Sequence, residues 1–335
     1  MKENSKEIQK IVDEVHKECG KDSIRKGIVS GKIEKWPVIP TRSISLDHAL
    51  GIGGYPKGRI VEIFGPESSG KTTMALTAVA EAQKAGGITA YIDVEHAIDP
   101  KYCEDLGVNL DDLLFSQPDS AEQALQITEK LIKSNKLDVI VMDSVAALVP
   151  KAELDGEMGE QHVGLQARLM GQALRKLKGE LSKTKTCMIF INQIREKIGM
   201  MMPGASNEVT PGGRALKFYA SVRIDIRRIG SVSDKDNTKV GNEIRCKVTK
   251  NKLAPPFKEA KFQITFGKGI DRIGNILDNA VEMNIVNRSG STYSYGNNKL
   301  GASRSQAIDT LTSKNEFLNE IESKVREKLF SDPIL

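Results

Sequence analysis

The sequence predicts an α/β protein built on a mostly parallel central sheet. Three observations carry this. The stretch Gly65-Pro66-Glu67-Ser68-Ser69-Gly70-Lys71-Thr72-Thr73 has the spacing G-x-x-x-x-G-K-T, and it stands between a strand-like run, Arg59 to Phe64, and a helix-like run from Met74. Strand and helix patterns alternate from about residue 46 to 269, which implies right-handed crossovers between parallel neighbours. Leu137 to Asp143 and Thr186 to Ile191 are short, mostly apolar runs, the pattern of strands covered on both faces.

Taken in order, residues 1–18 read as an amphipathic helix with one stripe of Ile8, Ile11, Val12 and Val15. So narrow a stripe cannot make its own core, so the helix docks either on its own domain or on a neighbouring subunit. Residues 20–45, with Gly27, Gly31, Pro37 and Pro40, read as a linker holding a short strand. Ile88 to Asp93 is a strand, and Ser120-Ala121-Glu122-Gln123 is a capping box that opens a helix to about Ser134. Leu165, Leu169, Ala173, Leu177 and Leu181 mark a further helix, and the strand from Thr186 ends at Asn192-Gln193. Val222, Ile224 and Ile226 alternate with charged residues, as do Ile244, Cys246 and Val248 with polar ones, so these strands are expected to be half-exposed and antiparallel. Composition shifts near 270, at Gly267, Gly269 and Gly274, and the remainder mixes short helices with a strand at Ser291 to Tyr295. The expected domains are therefore 1–33, 34–269 and 270–335.

The 335 residues, 39% hydrophobic and 28% charged, contain no run of eighteen apolar residues, so no membrane span is expected. Met1 to Ser5 lead into no apolar segment, so no secretory signal is expected. Cys19, Cys103, Cys187 and Cys246 have neither zinc-site nor disulfide-framework spacing, and reduced thiols in a cytoplasmic location are expected. The net charge of +5 permits nucleic-acid binding without requiring it.

A strand, a glycine-bearing turn and a helix start converge several backbone N–H groups on one point suited to phosphate. Gly65, Pro66, Glu67, Ser68, Ser69, Gly70, Lys71, Thr72 and Thr73 would surround it, with Lys71 on the outer phosphates and Thr72 on Mg²⁺. Asp143, ending its strand, is the acid that the metal shell needs, and Ser144 could donate to the same shell. Glu95 follows the strand ending at Asp93 and is the general-base candidate, with Asp93 and His96 as competitors. Two glycine-bearing loops, 153–162 and 194–213, leave the same sheet edge. Arg168, Arg175, Lys176 and Lys178 follow the first, Arg195 and Lys197 open the second, and Arg214 closes it. These residues form either a phosphate-backbone track or a solvated face. Met200-Met201-Met202 is either a wedge between bases or loop packing.

Together these stretches closely resemble the RecA family of bacterial recombinases, from about residue 19 to about 300. The blocks that carry it are Gly58 to Ile63 with the phosphate loop, Glu81 to Gly87, Asp143 to Glu153, Ile191 to Arg195, Ala215 to Ser221, and Lys250-Asn251-Lys252 followed by Pro255-Pro256-Phe257. The resemblance implies a RecA-like P-loop NTPase core with an N-terminal docking helix and a small α/β C-terminal domain. It implies a DNA-dependent ATPase that uses ATP and Mg²⁺. Such a protein forms a helical filament on single-stranded DNA, pairs it with homologous double-stranded DNA, and exchanges strands. It also implies activation of self-cleavage by a LexA-like repressor in the SOS response. By resemblance, Glu95 is the catalytic base and Gln193 senses the γ-phosphate. Lys250 and Lys252 reach ATP from the neighbouring subunit, Phe218 is a subunit-interface residue, and the N-terminal helix docks on the adjacent protomer. Tyr102, just after Asp99-Pro100, matches the residue that stacks on adenine, and Asp99 joins the nucleotide site with it. The two loops become DNA-binding loops: Met158, Gly159, Arg168, Gln172 and Arg175 with the first, and Arg195, Lys197, Ile198, Gly199, Met200, Gly212, Gly213 and Arg214 with the second. The chain departs from the family where the second loop lacks its usual Phe and Asn-Pro-Glu-Thr run, where Phe266-Gly267-Lys268-Gly269 replaces Tyr-Gly-Glu-Gly, and where its last stretch, from Lys314, mixes both charge signs. A ring-forming helicase of the same core is the alternative enzyme, a nucleotide-gated scaffold the non-enzyme alternative.

Overall fold

The computed structural model describes residues 2–21, 23–24, 36–157, 160, 162, 164–196, 208–234 and 236–331. The chain divides into two units, Met1–Trp36 and Pro37–Leu335. In the first, helix α1 (Lys2–Cys19) leaves Ile8 and Ile11 of the expected stripe exposed and buries Val12. His16 Nε2 lies 2.8 Å from the Ile24 carbonyl.

The second unit opens with a short antiparallel pair, β1 (Val38–Ile39) and β2 (Tyr55–Pro56), around α2 (Ile44–Leu50). The helix had not been expected in that stretch. It starts because the Ser43 side chain accepts from Leu46 N, and it stops because Gly51 adopts φ 76°.

A nine-stranded sheet follows. Its strands in chain order are β3 (Ile60–Gly65), β4 (Ile88–Asp93), β5 (Leu113–Ser116), β6 (Leu137–Asp143), β7 (Cys187–Gln193), β10 (Val222–Ser233), β11 (Lys239–Asn251), β12 (Glu259–Thr265) and β13 (Gly269–Ile270). Outside the sheet, β8 (Arg195–Glu196) and β9 (Glu208–Val209) pair antiparallel across the ends of the second loop. Spatial order in the sheet is β13-β12-β11-β10-β3-β7-β6-β4-β5. From β10 through β3, β7, β6 and β4 to β5 every pairing is parallel, and from β10 to β13 every pairing is antiparallel. The expectation for the later strands therefore needs one correction. β10 is antiparallel to β11 but runs parallel to β3, because the chain returns to the sheet middle through α8 (Ala215–Tyr219) rather than by a hairpin.

Alternation along each strand makes two cores. Val139 and Val141 of β6 join the cluster packed with α3 (Lys71–Lys84) on one face. Ile140 and Met142 join the cluster packed with α5 (Ala121–Lys133) and α7 (Leu165–Leu181) on the other. Half of the box before α5 is formed: Ser120 Oγ accepts from Gln123 N at 3.3 Å, while Gln123 Oε1 accepts at 2.8 Å from Asp119 N, one residue ahead of the cap. Such a cap contributes about 0.5–2 kcal/mol to its helix. The short helices α4 (Pro100–Asp105) and α6 (Lys151–Leu154) flank strand ends.

Beyond β13, helices α9 (Arg272–Glu282), α10 (Arg304–Ser313) and α11 (Asn315–Phe330) pack on a three-stranded antiparallel sheet, β14 (Asn287–Ser289), β15 (Thr292–Tyr295) and β16 (Asn298–Gly301). Their core takes in Ile44 from α2, and Ser43 Oγ donates to Asn275 Oδ1 at 3.0 Å. Among the described residues, no helix is long and apolar enough to cross a membrane.

Candidate active site and nucleic-acid interface

The phosphate loop sits where β3 hands over to α3, at the carboxyl edge of the parallel strands. It needs its glycines. A Cβ on Gly65 would lie 2.2 Å from the Ile226 carbonyl oxygen, and Gly70 has φ 97° with Ile264 Cδ1 2.7 Å from where a Cβ would stand. No side chain caps α3, so its first-turn N–H groups face the loop's concavity. Ser69 Oγ donates to the Pro66 carbonyl at 2.8 Å. Lys71 is buried, and its ammonium donates to the carbonyls of Gly65 (3.1 Å) and Pro66 (2.6 Å). Burial holds its pKa below the usual lysine range, so an anion here would be welcome.

Beside it, Thr72 Oγ1 and Tyr91 OH donate to Asp143 Oδ2 at 2.8 and 2.7 Å. Burial pushes the Asp143 carboxyl above its usual range, against those two hydrogen bonds. A part-buried hydroxyl–carboxylate oxygen pair beside phosphate-binding amides fits a hard divalent cation.

Asp93, Glu95 and His96 now separate. Asp93 is buried, and its carboxylate accepts from Ala97 N, Ile98 N and Gln117 Nε2, folding the loop that carries Glu95. His96 is exposed and sits at φ 54°. Glu95 Oε1 accepts from Ser144 Oγ and, at 3.0 Å, from Gln193 Nε2. Ser144, expected beside the metal shell, thus donates to Glu95 instead. Glu95 and Gln193 meet because β4 and β7 flank β6, and both residues sit at carboxyl strand ends.

A cavity of about 280 Å³ extends from the loop, lined by Ser68 to Thr73, Tyr102, Asn242, Ile244, Ile264 and Phe266. Tyr102 OH lies 2.6 Å from Thr73 Oγ1, and Phe266 is 54% exposed. Asp99 caps α4, accepting from Lys101 N at 2.9 Å. Asn242, Ile244 and Ile264 carried no sequence signal as site residues. Only the pairing of β11 with β12 brings them to the loop.

Lys250 and Lys252 form a second cluster at the opposite edge. Lys250 stands across from Arg223, which is level with Glu62, and Lys252 N donates to Ser221 O at the level of Ile60. That is three to five residues short of Gly65, on the order of 10–16 Å at ~3.3 Å per residue. The Lys250 ammonium donates to the carbonyls of Lys217 (2.6 Å) and Phe218 (3.0 Å), and that of Lys252 to Phe218 O (3.3 Å). Burial first, then the charges of Lys252 and Arg223, lower the Lys250 pKa to about 8. Phe218 on the same helix is 71% exposed.

Arg168, Gln172 and Arg175 are exposed on α7, and their spacing puts them on one helix face. Arg195 and Arg214 are exposed at the two ends of the second loop, while Gly212 is buried and Gly213 half-buried. Met158, Gly159, Lys197, Ile198, Gly199 and Met200 lie outside the described residues, as do Met201 and Met202.

Residues 6–271 match the model of the RecA N-terminal domain, and residues 274–330 that of the RecA C-terminal domain. The chain belongs to the RecA family. It is 54% identical over 334 residues to the Protein RecA of Oceanobacillus iheyensis, an alignment covering 100% of this chain and 95% of the relative. It is 55% identical over 332 residues to that of Caldanaerobacter subterraneus subsp. tengcongensis, covering 98% and 94%. Against Syntrophobacter fumaroxidans Protein RecA the identity is 56% over 325 residues, covering 97% and 94%. As a RecA-family protein the chain is a DNA-dependent ATPase and homologous recombinase of DNA repair.

Proposed function

We propose that the chain hydrolyses ATP with Mg²⁺ at the carboxyl edge of its sheet, within a helical filament on single-stranded DNA. The observation that carries this is the Gln193–Glu95 hydrogen bond, because Gln193 is the last residue before the long second loop. One amide therefore touches both the general base and the start of a DNA-binding segment. The Lys71 ammonium leaves the Gly65 and Pro66 carbonyls for the outer phosphates. Thr72 and Asp143 would hold Mg²⁺, which when bound would neutralise charge on the phosphate oxygens. Glu95 takes the proton of the attacking water, and Ser144 orients its carboxylate. Gln193 gives its N–H to the γ-phosphate in place of Glu95, which re-sets the loop that follows. Asp99, Tyr102 and Phe266 border the base.

Lys250 and Lys252 act on the site of the neighbouring protomer, since their place on the far sheet edge keeps them from their own phosphate loop. Phe218 anchors that interface, and α1 docks on the adjacent protomer with its exposed Ile8 and Ile11. The arm at 1–33, the ATPase core at 34–269 and the C-terminal domain at 270–335 are the working parts. Arg168, Gln172 and Arg175, with the second loop from Arg195 through Lys197, Ile198, Gly199 and Met200 to Gly212, Gly213 and Arg214, and Met158 and Gly159 of the first, hold the DNA backbone. Base pairing with the homologous duplex supplies the sequence test. The filament is also the surface on which a LexA-like repressor cleaves itself, and the protein works in the cytoplasm.

The test is ATP hydrolysis with and without single-stranded DNA at two salt concentrations. Strong stimulation that fades with salt is the expected result. Hydrolysis indifferent to DNA would leave a nucleotide site and remove the filament reading.

A further inference from the structure

The closing arm of the second loop is held by a side chain that the mechanism above does not use. Gln166 lies in the first turn of α7. Its Nε2 donates to the carbonyls of Val145 (3.0 Å) and Leu148 (2.9 Å), and its Oε1 accepts from Gly212 N (3.2 Å). Both amide hydrogens and the carbonyl are used, so the three partners define one orientation of the group. Val145 opens the 3-10 turn that directly follows Asp143 and Ser144, and Leu148 closes it. Gly212 and Gly213 both have left-handed φ, 81° and 74°. A Cβ on Gly212 would lie 2.8 Å from Val145 Cγ1, and one on Gly213 2.8 Å from Ala167 Cβ. The glycine pair is therefore seated directly on the turn and on the start of α7. One residue earlier, the Pro211 carbonyl accepts from Asn192 Nδ2 at 3.1 Å.

We infer that Gln166 is a positioning residue that couples the closing arm of the second loop to the turn behind Asp143. The nucleotide site then has a second route into that loop, parallel to the route through Gln193. The inference rests on the reading of residues 194–213 as a DNA-binding loop. Asp143 touches Thr72, and Ser144 touches Glu95, so both residues before the turn respond to what fills the phosphate site. Gln166 passes that response to Gly212 at one end. At the other end it is carried on α7, two residues before Arg168. The opening arm answers to Gln193 and the closing arm to Gln166, and DNA is gripped when both are set.

The experiment measures the affinity of the full chain for a labelled single-stranded oligonucleotide, with and without a slowly hydrolysed ATP analogue. It compares wild type, Gln166→Met and Gln166→Glu. Gln166→Met keeps the side-chain length and removes all three hydrogen bonds. ATP affinity should stay near wild type, while the ratio of DNA affinities with and without nucleotide falls about tenfold. Gln166→Glu keeps an acceptor for Gly212 but sets a carboxylate against two carbonyls. Its ratio should be low at neutral pH and recover as the carboxyl protonates, a pH dependence that a packing role would not produce. In wild type, nucleotide should slow amide exchange at Gly212, and this reading stands even if Gln166→Met does not fold. A wild-type ratio in Gln166→Met, or Gly212 exchange that ignores nucleotide, overturns the inference. A wild-type chain whose DNA affinity is blind to nucleotide overturns the loop reading and this inference together. Nucleotide-sensitive wild type with an unaltered Gln166→Met removes this inference alone.

Discussion

The two edges of the parallel strands carry lysines in opposite situations. At the carboxyl edge Lys71 folds back on its own loop, and its neighbours Thr72, Asp143, Glu95, Ser144 and Gln193 bond to one another. At the amino edge Lys250 and Lys252 rest on backbone carbonyls of α8, beside a phenylalanine left 71% exposed. The first edge is a site assembled within one chain. The second has charge and apolar surface but no phosphate-binding loop, and under the proposed function it is one half of a site whose other half belongs to another copy. A head-to-tail contact between unlike edges does not close on itself as a two-fold dimer does, and it builds rings or filaments.

Several changes would break or sharpen this contrast. Lys71→Ala removes the charge at the assembled edge and should lower hydrolysis by about 100-fold or more, measured as steady-state kcat with DNA present and with an unchanged thermal midpoint. Lys250→Ala should be nearly as severe, yet mixing it with Lys71→Ala should restore activity at about a quarter of the sites by random head-to-tail pairing. Two inactive variants that stay inactive when mixed would place Lys250 in its own chain's site and end the contrast. Gln193→Ala should leave ATP binding intact and reduce the nucleotide effect on DNA affinity about tenfold, read by fluorescence anisotropy. Arg168→Ala or Arg175→Ala should weaken DNA binding evenly across sequences and reduce the salt slope by about one; an unaltered slope returns these residues to a solvated face.

The smallest effect concerns pH. The Lys250 pKa falls to about 8 in the isolated protomer, so the folded chain sheds this proton more readily than the unfolded chain. Between pH 8 and the ordinary lysine value the unfolded state binds more protons, and stability from this group rises with pH. Next to a neighbour's phosphates the ammonium is favoured, and its titration should move upward. NMR titration of the lysine ammonium groups, free and in the DNA-bound filament, checks the sign.

Much of the assembled edge was legible before any fold was known. The phosphate loop, its strand and its helix are contiguous, and glycine, lysine and threonine at that spacing have one efficient geometric use. Asp143 could be read because a strand-end acid follows an apolar run. The choice among Asp93, Glu95 and His96 could not be made from the residues alone, since one ends a strand and the other two follow it within three positions. It turns on which carboxylate is spent on local N–H groups, and Asp93 accepts two of them. The solvated-face reading of α7 stayed open for a similar reason: helical spacing places Arg168 and Arg175 on one face but says nothing of what lies opposite.

By itself the sequence determined the local elements, the phosphate loop, the paired acid and the alternating strands, because each depends on residues close along the chain. The tertiary structure alone decided that β10 runs parallel to β3, that Gln193 meets Glu95 from 98 positions away, that Gln166 holds Gly212, and that Lys250 lies on the far edge from Lys71. These depend on strand order and register. A pattern of period two reveals that a strand has two faces but not which neighbour it pairs with.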